Sequence, residues 1–191
     1  MPRIEAATVA EHHAMRRSAI LQAAMTLLTN DGAAAVTPAS VAGVAGLARS
    51  SVYQYYPSTG ALIGASVEET FHRSLAAVEA AMRRARTPRG RLTSYVDASL
   101  EAAMAGHEPT MAYAGVELPP ECQVRLAELH AALTRPLLDA LHENGVRDAS
   151  GVAELIRGVI VAGARQVREG ESAAVVRGRV RRFVLASLGL R

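Results

Sequence analysis

The stretch Thr37-Pro38-Ala39-Ser40-Val41-Ala42-Gly43-Val44-Ala45-Gly46-Leu47-Ala48-Arg49-Ser50-Ser51-Val52-Tyr53-Gln54-Tyr55-Tyr56-Pro57-Ser58 decides the reading of this chain. Thr37 offers a capping hydroxyl, and Pro38 then falls at the first helical position, where its missing N–H costs nothing. The helix started there runs to about Ala45, because Gly46 tolerates the left-handed backbone needed just past a helix end. Arg49 to Tyr56 reads as another short helix, stopped by Pro57, which pushes the residue before it out of helical geometry. Two short helices joined by a glycine-containing turn are the parts of a helix-turn-helix, whose second helix enters the DNA major groove. Val41, Ala42, Ala45, Leu47 and Val52 supply a small internal core. Ser50, Ser51, Gln54 and Tyr55 remain polar and outward.

Working outward, Ile20, Leu21, Ala24, Leu27 and Leu28 recur at three- and four-residue spacing, so a packing helix over about 12–30 precedes the motif and closes at Asp31-Gly32. On the other side Ser58 caps a long helix over about 59–86, which ends at the Thr87-Pro88-Arg89-Gly90 break. Further helices are expected at 89–105, 108–115, 120–143, 151–168 and 172–188, about nine in all. The expected fold is all-α: a three-helix DNA-binding domain over residues 1–58 and a helical bundle over 59–191.

Composition agrees with helices. Half of the 191 residues are apolar, yet there are two Phe, five Tyr and no Trp, which disfavours a sandwich built on aromatic strands. The formal charge of +3 is too small for nonspecific coating of nucleic acid, so DNA contact must come from local placement of basic groups. All 21 basic residues are Arg, which suits bidentate contacts and equally reflects base-composition bias. The single cysteine, Cys122, cannot form an intrachain disulfide, and no signal-like leader is present, so the expected location is the cytoplasm. No apolar run approaches the roughly 18 residues of a membrane span.

The quoted segment resembles the signature of the TetR family of transcriptional regulators, and with its flanks the resemblance covers about residues 12–65. Two departures stand out. Ala48 replaces the Ser that usually caps the recognition helix, removing a cap contribution of about 1 kcal/mol. Thr59 replaces the usual Lys at the start of the fourth helix, so a phosphate-binding point charge is missing and a lower salt slope is expected. The resemblance implies that Arg49, Ser50, Ser51 and Gln54 read bases, Arg being suited to guanine and Gln to adenine. It places Thr37, Tyr53, Tyr55 and Thr59 at phosphates, and Arg16 and Arg17 at the flanking backbone. Tyr56 matches an aromatic core position.

The resemblance further implies a homodimer made through the last two helices, where Val152, Leu155, Ile156, Val159, Ile160, Val176, Val180, Phe183 and Val184 form apolar stripes and Gly163 permits close helix approach. A dimer binds palindromic operator DNA, its recognition helices spanning half-sites about 34–36 Å apart or a multiple of that. A small, largely apolar effector is expected among Tyr95, Ser99, Met104, Met111, Tyr113, His130 and Leu133, each of which also reads as plain core. Pro136 is expected to kink its helix beside that pocket. Arg177, Arg179, Arg181 and Arg182 read as a solvated face.

The implied function is a repressor released from its operator by the effector; a ligand-blind or activating regulator is the alternative, and a helical enzyme without a recognisable catalytic motif a second one. No enzyme motif is present. His107-Glu108 and His142-Glu143 lack a second His at zincin spacing, and there is neither a phosphate-cradling glycine loop nor a CxxC pair. No cofactor or metal is expected, since the six histidines are scattered and His12 and His13 point to different helix faces.

Overall fold

The computed structural model describes residues 9–105 and 120–190. Among these are eight α-helices, one 3-10 turn and no strand. They are α1 (Val9–Asp31), the 3-10 turn (Ala33–Ala35), α2 (Pro38–Ala45), α3 (Arg49–Tyr55), α4 (Thr59–Arg83), α5 (Pro88–Met104), α6 (Pro120–Glu143), α7 (Ala149–Arg168) and α8 (Ala173–Ser187). The helix expected at 108–115, with Met111 and Tyr113, lies outside the described residues. No helix among the described residues is long and apolar enough to cross a membrane.

The boundaries follow local chemistry. Thr87 caps α5 by accepting from the Gly90 amide at 3.0 Å, with Pro88 at the first helical position. Hence α4 stops at Arg83, and α5 starts inside the expected break. Asp148 accepts from the Gly151 amide at 3.1 Å and starts α7 two residues earlier than periodicity indicates. Pro136 lies inside α6 without ending it. It has no N–H to give the Ala132 carbonyl, one turn earlier.

The chain divides into two compact units. One holds residues 9–69 with 120–123, the other 70–105 with 124–190, so the division between them falls inside α4. The first is built on Ile20, Ala24 and Leu28 of α1, Val36, Val41 and Ala42 at α2, Val52 and Tyr56 at α3, and Leu62, Ile63 and Val67 of α4, all buried. The second has one cluster that joins Val78 and Met82 of α4, Leu92, Tyr95, Val96 and Leu100 of α5, Leu137 and Leu141 of α6, and the inner faces of α7 and α8. There the missing side chain of Gly163 matters: a Cβ would meet Val180 Cγ2 at 2.8 Å and Leu100 Cδ1 and Val176 Cγ1 at 3.3 Å. The close approach that Gly163 permits is therefore within one chain.

Candidate nucleic-acid interface

The head presents α3 through two connected devices. At the start of α2, Thr37 Oγ1 accepts from the Ser40 amide at 3.1 Å while Ser40 Oγ accepts from the Thr37 amide at 3.0 Å, a reciprocal capping box. Ser40 Oγ also lies 2.6 Å from the Ala35 carbonyl, which ties the 3-10 turn to α2. At the other end Gly46 adopts φ 66°, ψ 33°, and the Leu47 amide bonds the Ala42 carbonyl at 2.9 Å. The chain reverses there and enters α3, whose buried Val52 anchors it.

Ala48 supplies no side-chain cap to α3. The opposite end is closed by the Tyr56 amide bonding the Val52 carbonyl at 2.9 Å, after which Ser58 Oγ accepts from the Ala61 amide at 3.0 Å and starts α4. With its inner side fixed, α3 leaves Arg49, Ser50, Tyr53 and Gln54 exposed and Ser51 and Tyr55 half-buried. Arg16, Arg17 and Thr37 are exposed and Thr59 is half-buried. The Thr37 hydroxyl is already engaged as the cap, so its contribution to any phosphate contact is shared with that role.

Arg49 and Tyr53 engage each other across one turn of α3: Arg49 Nη2 donates to Tyr53 Oη at 3.3 Å, and the guanidinium lies 5.7 Å from the ring centre. His13 of α1 rests on Tyr55 with ring centres 4.5 Å apart. Tyr56 is buried as expected, with its hydroxyl enclosed and within reach of Arg17. Burial raises its pKa above the usual 10.0, opposed by the Arg17 charge and by a hydrogen bond from Arg17.

In the second unit the residues expected to hold an effector are dispersed. Tyr95 is buried and its hydroxyl reaches the Leu133 carbonyl at 3.3 Å, which joins α5 to α6. His130 meets the edge of Phe71 at 6.1 Å, and Ser99, Met104 and Leu133 are half-buried. None of them lines the cleft of about 690 Å³ found between α4, α5 and α6, whose wall is Leu75, Glu79, Met82, Arg83, Arg91, Ala132, Arg135, Pro136, Asp139, Ala140 and Glu143. Arg91 pairs with Glu143 there at 2.6 Å. The cleft was illegible in sequence because its apolar floor is assembled from three helices and its rim consists of ordinary surface charges.

The stripes expected to join two chains are split by the structure. Ile156, Ile160, Val176, Val180 and Val184 are buried in the core of their own unit, so these five have no surface to offer a second chain. Val152 and Val159 are half-buried and pack against that core. Leu155, at 72% exposure, and Phe183, at 59%, point away from it. The same outer surfaces carry Gly158 and Ala162 of α7 and Ala186 of α8, small exposed residues outside the expected stripes. Small residues at four-residue spacing were the available signal.

The arginines of α8 are mostly occupied. Arg179 pairs with Glu171 at 2.7 Å and reaches Gln166 at 2.8 Å, Arg181 pairs with Asp97, and Arg177 lies 4.0 Å from Glu101. Arg179 holds the Glu171 carboxyl below its usual pKa through a hydrogen bond. A solvated, ion-paired face is what these contacts describe. Among the described residues no cluster of three or more His, Cys, Asp or Glu could hold a metal ion.

Residues 20–65 match the family model described as bacterial regulatory proteins, tetR family. A comparison with curated protein sequences finds no match. Among solved structures, a TetR-family transcriptional regulator from Agrobacterium tumefaciens is 19% identical with a TM-score of 0.74, covering 91% of this chain and 97% of that one. The transcriptional regulator FadR from Bacillus subtilis, in complex with stearoyl-CoA, is 14% identical with a TM-score of 0.72 over 87% of this chain and 96% of that one. The TetR-like transcriptional regulator LfrR from Mycobacterium smegmatis, in complex with proflavine, is 20% identical with a TM-score of 0.67 over 91% and 96%. At these identities the structures establish the fold, and the family model establishes the character of the head. Through that head the chain is similar to the tetR family of bacterial regulatory proteins, a likeness that supports a DNA-binding transcriptional regulator.

Proposed function

We propose that the chain is a homodimeric repressor that binds a palindromic operator through α3 and is released by a small, largely apolar molecule. The observation that carries this reading is the outward face of α3. Arg49, Ser50 and Gln54 are exposed on a short helix whose other side is locked by Val52 and whose entry is set by the capping box and Gly46. A guanidinium and a carboxamide presented together suit guanine and adenine edges in the major groove. Tyr53, Tyr55, Thr37, Thr59, Arg16 and Arg17 serve the phosphates that fix the register.

The dimer face is narrower than the sequence suggests. With five of the nine expected residues used internally, Leu155 and Phe183 are the large apolar side chains left to meet a partner, beside the small Gly158, Ala162 and Ala186. For the effector, the cleft between α4, α5 and α6 has a volume in the ligand range and a floor of Leu75, Met82, Ala132, Pro136 and Ala140. FadR in complex with stearoyl-CoA and LfrR in complex with proflavine have the same fold, which supports a ligand with a large apolar part. A ligand that binds one conformer of the chain more tightly than the other shifts DNA affinity by that difference.

Light scattering of the wild type and of the Leu155→Glu/Phe183→Glu variant tests the assembly. The wild type should weigh two chains and the variant one, with unchanged helicity and much weaker binding of operator DNA. A wild type that stays a monomer and binds as one chain refutes it. For the effector, a compound that raises the melting temperature and releases DNA from the wild type should do neither in Ala132→Trp, which fills the cleft. Release that persists in that variant places the ligand elsewhere.

A further inference from the structure

His13 is exposed on α1, yet its ring rests on the half-buried ring of Tyr55 at the end of α3, with centres 4.5 Å apart and planes tilted by 41°. Arg16 and Arg17 follow it at three- and four-residue spacing, so the three exposed side chains share one face of α1. A second tie lies one turn further on, where Arg17 engages the Tyr56 hydroxyl. Consecutive turns of α1 thus meet consecutive residues at the end of the recognition helix. The charged groups at this corner are Arg16 and Arg17 of α1 and Glu68 and Glu69 of α4, the last two acting on Tyr56. The phenols of Tyr55 and Tyr56 complete it.

We propose that His13 is a DNA-backbone contact supplied by α1: resting on Tyr55, its protonated imidazole donates to the same phosphate that the Tyr55 hydroxyl meets. This rests on the reading that Tyr55 serves a phosphate. Two rings in contact bring the imidazole to that phosphate, and the Tyr55 ring limits how far His13 turns, so less freedom is lost on binding. A neutral imidazole has one N–H, whereas the imidazolium has two and a charge, and a hydrogen bond between charged groups is about twice as strong as a neutral one. Binding therefore takes up a proton, and affinity rises as pH falls through the range in which a histidine gains its charge, about pH 8 to pH 5. Guanidinium and phenol groups do not titrate between about pH 6 and pH 8, and ordinary carboxylates titrate below that window.

The test measures binding of the wild type, His13→Gln, His12→Gln and Tyr55→Ala to the duplex that the wild type selects from a randomised library, at about pH 6 and about pH 8 over a series of salt concentrations. His12, on another face of α1, is the control. From the higher pH to the lower, wild-type affinity should rise about three- to tenfold for each His13 engaged, and the salt slope should steepen by about one phosphate contact per chain, with base preference unchanged. His12→Gln should keep both changes. His13→Gln and Tyr55→Ala should lose them, and His13→Gln should melt as the wild type does. A His13→Gln variant that follows the wild type at both pH values overturns the proposal, as does a rise that vanishes in His12→Gln or persists in a folded Tyr55→Ala. If Tyr55→Ala fails to fold, His13→Gln still decides. A wild type whose selected motif binds equally at both pH values overturns this inference alone. One that selects no duplex refutes the DNA interface itself, and this inference with it.

Discussion

Replacing Gly163 by Ala puts a methyl where α5, α7 and α8 meet. Its Cβ would stand 2.8 Å from Val180 Cγ2 and 3.3 Å from atoms of Leu100 and Val176. Val180 is β-branched and 4% exposed, so its methyl cannot swing away cheaply. Overpacking of this kind costs about 1–3 kcal/mol. Against it stands the helix preference for Ala over Gly, about 0.5–1 kcal/mol. The net loss is about 1–2 kcal/mol, or about 2–8 °C in melting temperature for a chain of this size. Thermal unfolding should show that loss, and Val180→Ala should relieve it. Alone, Val180→Ala leaves a void and destabilises by about 1–3 kcal/mol. Together the two changes should cost less than their sum by about 1 kcal/mol or more, because the new methyl occupies the vacated volume. A neutral or stabilising Gly163→Ala, or strict additivity, would refute the packing argument.

Other consequences are as specific. Ser40→Ala removes the acceptor for the Thr37 amide and the bond to the Ala35 carbonyl, and should lower the stability of the head by about 1–2 kcal/mol in chemical denaturation; no change would mean the capping box is idle. Tyr53→Phe loses only the exposed 3.3 Å bond with Arg49, so stability should move by no more than about 0.5 kcal/mol while DNA affinity falls evenly across sequences; a change in base preference would make Tyr53 a reader instead. The raised pKa of Tyr56 means that the folded chain keeps the phenol neutral to higher pH than the unfolded chain does. The stability so contributed is complete below about pH 10 and declines as pH rises through the folded value, a decline that Tyr56→Phe should lack in alkaline melting curves.

The legible parts of this fold are those set by local chemistry. Thr37, Pro38, Gly46 and Ser58 announce their structural roles within four residues of themselves, and the structure places each where that chemistry requires. Ala48 leaves its helix uncapped for the same readable reason. Illegible parts depend on residues far apart in the chain. Ile156 and Val180 show the periodicity of a buried face, but periodicity does not say whether the covering helix belongs to the same chain. The structure puts both in one core cluster with Leu100 of α5, which meets Gly163 beside Val180. Arg181 similarly reads as a free charge until Asp97, more than eighty residues away, is found beside it. Tyr56 was placed in the core by resemblance, whereas the enclosure of its hydroxyl depends on the whole head.

The central claim is that the exposed side of α3 reads bases, once in each half of a symmetric site. Sequencing the duplexes selected from a randomised library by the wild type and by Gln54→Ala tests it most directly. The wild type should return a two-fold symmetric motif, and the variant the same motif with one position relaxed in each half. An unchanged motif in the variant, or no motif for the wild type at low salt, contradicts the account.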